Sequence, residues 1–115
     1  VFAQLGTEIG SEGLVNSSEE FGFNQEISFD LPLVTSLMPD PNEMTEWETA
    51  WASAGEPVGE HESPAGPQAT VLQMALVGCA IANDGVIMQP YLVDSVYNAE
   101  GTNSYRATPS QIYNA

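Results

Sequence analysis

The chain has 115 residues, with sixteen Asp and Glu against a single Lys or Arg, for a formal net charge of −15. A balance of that sign excludes nucleic-acid backbones and anionic membranes as partners, because both are bound through clusters of Lys and Arg. There is no lysine at all. A Schiff base, a P-loop and any Ser–Lys or Lys–Glu catalytic pair are therefore impossible within the chain.

Taken in order, Val1, Leu5 and Ile9 recur at helical spacing, with Phe2 beside them and Gly10 as a stop. Ser11 reads as the cap of a second helix that carries Leu14, Val15 and Ser18 towards Phe21. Phe21-Gly22-Phe23-Asn24 breaks that pattern, with the two Phe plugging a core under the turn. From Gln25 to Pro39, Ile27, Phe29, Leu31 and Leu33 alternate, but Pro32 rules out a central strand. An edge strand or a packed loop is expected there.

Asp40-Pro41-Asn42-Glu43 predicts the start of a third helix: an Asp cap, Pro at the first helical position and an acid two places on. Met44, Trp47, Trp51 and Ala54 follow it at helical spacing, and core packing is expected for both tryptophans. Gly55 to Pro67 reads as a loop containing Glu56, Glu60, His61 and Glu62. Thr70 is the strongest cap in the chain, and it opens a helix over Val71–Ala82 in which only Gln73 is strongly polar. A helix apolar on nearly every side predicts cover from all directions, with Leu72, Met74, Ala75, Val77, Cys79 and Ile81 mostly buried. Asn83-Asp84-Gly85 ends it. A small β-hairpin is expected over residues 91–107, turning at Ala99-Glu100-Gly101-Thr102 and returning through Ser104-Tyr105-Arg106. Thr108-Pro109-Ser110-Gln111 carries another capping signature and predicts a last helix.

Little in this pattern is reactive. Cys79 is the sole cysteine, so no intrachain disulfide can form, and its apolar neighbours mark it as an inert buried side chain. Glu56, Glu60, His61 and Glu62 are the nearest approach to a metal cluster, but zinc sites need three or four His or Cys ligands. A solvated acidic loop is the better reading. A Ser/His/Asp arrangement would have to use His61, the one histidine, and no Gly-x-Ser-x-Gly elbow is present. No catalytic residue, cofactor site or metal site is assigned within the chain. The longest apolar run, about Met74 to Ala82, falls short of the ~20 residues a membrane span requires.

The ordered run Thr70-Val71-Leu72-Gln73-Met74-Ala75, Ile81-Ala82-Asn83-Asp84-Gly85-Val86 and Pro90-Tyr91-Leu92-Val93 resembles the transpeptidase domain of penicillin-binding proteins. That family shows Thr-Pro-Leu-Gln-Met-Ala, then Ala-Asn-Gly-Gly, then Pro and a hydrophobic strand. Val1-Phe2-Ala3-Gln4-Leu5-Gly6 is similar to the helix that follows the family's Ser-x-Asn motif. Phe21-Gly22-Phe23 is similar to its Phe-Gly-Phe/Leu turn, and Val58-Gly59-Glu60 to its Ile-Gly-Gln. Val71 replaces the family's Pro, and Glu60 its Gln.

The resemblance implies a helix-rich α+β fold, the helical portion of a serine β-lactamase-like transpeptidase domain. It implies that residues 1–115 form a partial domain, truncated at both ends, between the Ser-x-Asn and Lys-Thr-Gly motifs. The parent would be a membrane-anchored enzyme acting outside the cytoplasm on peptidoglycan stem peptides and inhibited by β-lactams. Ser-x-x-Lys, Ser-x-Asn and Lys-Thr-Gly are all absent here, so this segment is expected to be a non-catalytic scaffold. Its expected partners are the remainder of the parent domain and, in isolation, a second copy as a homodimer. The alternative is a stand-alone acidic module that binds a basic protein.

Overall fold

The computed structural model describes residues 1–58 and 66–115. Glu60, His61 and Glu62 of the acidic loop lie outside the described residues. The chain runs α1 (Phe2–Ile9), α2 (Ser11–Glu20), α3 (Glu46–Ser53), α4 (Val71–Ala82), β1 (Val86–Met88), β2 (Ser95–Tyr97), β3 (Asn103–Arg106) and β4 (Gln111–Asn114). The strands form two antiparallel pairs, β1 with β4 and β2 with β3. This is the expected helix-rich α+β architecture, including the hairpin, although Tyr91 to Val93 lead into β2 rather than belonging to it.

α1 packs against α3 through Gly6, whose hydrogen faces Thr49 and Ser53; a Cβ there would collide with the Ser53 Oγ. The cap of α2 is Gly10, not Ser11. Ser11 is already helical, and its hydroxyl donates instead to the Pro41 carbonyl at 2.9 Å. α3 starts later than Asp40 predicts. The Asp40 carboxylate accepts from the Asn42 N–H at 2.9 Å and its carbonyl from the Glu43 N–H at 3.1 Å, so this segment closes a turn and not a helix. Thr45 and Glu48 then form a full capping box, each side chain bonded to the other's backbone N–H. Thr45-Glu46-Trp47-Glu48 carried that signal in plain sequence.

The tryptophans are not core. Trp47 and Trp51 are 66% and 44% exposed, while Thr49 and Ala52 on the far side of the helix are buried. α4 runs over the expected residues, with the Thr70 hydroxyl accepting from the Gln73 N–H at 3.0 Å. Its burial differs from expectation. Gln73, Leu76 and Ala80 are buried, whereas Met74, Ala75, Cys79 and Ile81 are exposed, and Leu72 and Val77 are intermediate. One stripe faces the Phe21 turn, β1 and β4. Val71 and Ile81, elsewhere on the helix, stand 88% and 76% open.

The last helix is absent. Residues 111–114 are β4, pairing Tyr113 with Ile87 and Asn114 with Val86. A single helical turn after Thr108 would fix several residues for few hydrogen bonds. Pairing along β1 instead satisfies the backbone and packs Ile112 and Tyr113 on the cluster of Leu76, Ala80 and Ile87.

Candidate functional site

Two of the sequence motifs, the Phe21-Gly22-Phe23 turn and the start of α4, meet at one corner that β4 completes. Gln73 is buried, and its side-chain amide donates to the Phe21 carbonyl at 2.6 Å, across 52 residues of sequence. Gly22 sits directly against this bond. Its φ is 102°, and a Cβ would meet the Tyr113 ring at 3.1 Å and the Gln73 amide at 3.4 Å. Glycine is required there by conformation and by space together. The Phe-Gly-Phe turn and the Thr-x-x-Gln helix start are thus two halves of one contact.

A second buried polar residue, Ser36, completes the junction. Its hydroxyl accepts from the Thr70 N–H at 3.1 Å, and its carbonyl from the Asn24 N–H at 2.7 Å. Leu37 and Gln68 exchange both backbone bonds, at 2.8 and 2.9 Å, which ties the segment before α4 to the strap that follows the Phe21 turn. Strap and helix line an open cavity of about 320 Å3 bordered by Gln25, Ile27, Phe29, Leu33, Thr70 and Leu72. At the far end of the strap, one Asp30 carboxylate oxygen accepts from the N–H groups of Leu92 and Val93, each at 2.6 Å. That bond anchors the approach to the hairpin.

The hydroxyls of Ser11, Ser18, Ser53 and Ser104 donate to main-chain carbonyls, and that of Ser110 to the Gln89 side-chain amide. An activated serine needs a base at its proton and donors at the developing oxyanion. Arg106, the one Lys or Arg, sits on β3 and donates to the Tyr97 hydroxyl at 3.0 Å, and among the described residues no cationic side chain lines the cavity. Among the described residues, no three His, Cys, Asp or Glu side chains gather as a metal site, and Cys79 is exposed and free. Asp30, Ser36 and the Thr45–Glu48 box did not emerge as functional positions from the sequence. Only the last had a readable signature.

The chain matches the penicillin binding protein transpeptidase domain over residues 1–114 and belongs to that family. It is similar to the D,D-transpeptidase domain of a peptidoglycan glycosyltransferase from Eggerthella lenta, at 58% identity and a TM-score of 0.93 over 98% of this chain and 29% of that one. It is also similar to penicillin-binding protein A of Mycobacterium tuberculosis, at 26% identity and a TM-score of 0.82 over 98% of this chain and 24% of that one. The penicillin G acyl-enzyme complex of that protein matches at 25% identity and a TM-score of 0.80, over the same shares of the two chains. No curated protein sequence matches. The chain therefore spans under a third of the length of these solved structures.

Proposed function

We propose that this chain is the non-catalytic helical scaffold of a serine-type D,D-transpeptidase that cross-links peptidoglycan and is acylated by β-lactams. The observation that carries the reading is the Gln73–Phe21 bond, because it joins two motifs of the family in a single contact that supports rather than reacts. The nucleophile, the Ser-x-Asn member and the Lys-Thr-Gly strand belong to other parts of the parent domain. The parent works on the outer side of the cytoplasmic membrane. Among the described residues no helix is long and apolar enough to cross one.

The shape of the chain supports incompleteness as a stand-alone domain. Its accessible surface is 7529 Å2, against about 6,100 Å2 for a compact monomer of 12.3 kDa. Its radius of gyration is 17.5 Å, against about 13 Å for a compact domain of this length. The open face of α4, with Val71, Met74 and Ile81, is where the remainder of the parent domain packs. In isolation, a second copy of the chain takes that place.

Intact-mass measurement after incubation with a fluorescent penicillin tests the assignment. The 115-residue chain alone is expected to remain unmodified. Joined to flanking sequence that carries Ser-x-x-Lys, Ser-x-Asn and Lys-Thr-Gly, it is expected to gain one adduct on the flanking serine. A stoichiometric adduct on a serine of residues 1–115 would overturn the scaffold reading.

A further inference from the structure

The tryptophans of α3 serve neither the core nor the corner described above. Their rings stand 5.3 Å apart between centroids and are tilted by 55°. At about 100° per residue, Trp47 and Trp51 share one helix face and point away from Thr49 and Ala52, the two buried residues of α3. Both ends of the helix are fixed. The capping box of Thr45 and Glu48 holds the start. At the finish, Gly55 N–H donates to the Ala52 carbonyl at 2.9 Å and Glu56 N–H to the Trp51 carbonyl at 3.1 Å, the pairing of a Schellman motif. The rings are therefore displayed on a rigid element, and Glu56 is held at the Trp51 end.

Three exposed carboxylates, Glu43, Glu46 and Glu56, lie on the helix or in its flanking turns. Lysine is absent, and the single arginine, Arg106, donates to the Tyr97 hydroxyl on the hairpin. Two exposed indoles on a helix flanked by exposed carboxylates match one chemistry closely. A guanidinium stacks on an indole and pairs with a carboxylate in the same pose, and it is easily desolvated. A neutral glycan would gain stacking but nothing from the charge, and an anionic one would be repelled. A net charge of −15 also steers a basic partner towards the surface over a distance.

We propose that the Trp47–Trp51 face of α3, bracketed by Glu43, Glu46 and Glu56, is a docking surface for an arginine-bearing segment of a protein partner. The inference does not depend on the transpeptidase reading. Trp47 and Trp51 are the only tryptophans of the chain, so intrinsic emission reports on this surface alone.

Titration of the 115-residue chain with a tetra-arginine peptide is expected to shift tryptophan emission saturably, and a tetra-citrulline peptide is not. Calorimetry is expected to show the affinity of the Trp47→Ala/Trp51→Ala variant reduced about tenfold or more, from the loss of the stacked cation–π contacts. Glu46→Gln/Glu56→Gln, which leaves the packing untouched, is expected to weaken binding several-fold and to flatten its salt dependence. Arginine binding of equal strength in the tryptophan variant, with far-UV circular dichroism unchanged, would mean diffuse attraction to an acidic surface and would overturn the proposal. So would a saturable emission change with chitotetraose and none with the peptide, which would make the face a glycan platform.

Discussion

The two antiparallel strand pairs of this chain have nearly the same construction and opposite fates. Each has three or four residues a side and a register shift in the middle. β1–β4 lies against α4, and Ile87 at its centre is completely buried. β2–β3 keeps Val96, Tyr97 and Tyr105 largely exposed, and Asp30 holds the segment that leads into it. The ladders do not distinguish the pairs. What distinguishes them is whether an apolar surface covers one face, which is why an isolated two-stranded hairpin is marginal in water. In the family reading, the exposed hairpin is the part that borrows its cover from elsewhere.

Three substitutions would sharpen or break this contrast. The largest effect is expected at Leu76, the buried side chain of α4 that touches the β1–β4 cluster. Leu76→Ala should lower unfolding free energy by about 2–5 kcal/mol in urea melts, because the removed methyl groups leave a cavity. A loss under about half a kcal/mol would show that the corner is not packed as described. Gln73→Ala comes next. It deletes the amide that satisfies the Phe21 carbonyl inside the structure and should cost about 1–3 kcal/mol by the same assay. The smallest effect belongs to the hairpin. Val96 faces Tyr105 across the ladder, and Val96→Ala should cost under about 1 kcal/mol, the scale of one cross-strand pair with no core behind it. An equal loss at Val96 and Leu76 would erase the distinction between the two pairs.

Local chemistry was most legible where one residue type admits a single solution. The Thr70 cap, the extent of α4, the Asn83-Asp84-Gly85 stop and the turn between β2 and β3 all follow from capping and turn residues acting on their own neighbours. At the turn, Asn98 shows how local this is: its side-chain oxygen accepts from both the Glu100 and Thr102 N–H groups. Capping signatures were less secure where two competed. Asp40-Pro41 and Thr45–Glu48 lie five residues apart, and the second won because it satisfies two helix N–H groups reciprocally. Thr108-Pro109 lost to a neighbour far away in sequence, since β1 offered Gln111–Asn114 an open edge.

By itself the sequence determined the class of the fold, its family resemblance, the absence of lysine chemistry and the boundaries of the longest helix. These depend on composition, on order along the chain and on contacts a few residues apart. Tertiary structure alone decided which side of each helix is inside. α4 is apolar all round, so its periodicity carries no direction, and only the position of the Phe21 turn, β1 and β4 selects Gln73, Leu76 and Ala80 as the buried stripe. α3 presents the same problem in reverse. Its two largest apolar side chains face outward because the other face must fit closely against Gly6 of α1, where Thr49 and Ser53 are small enough and indoles are not.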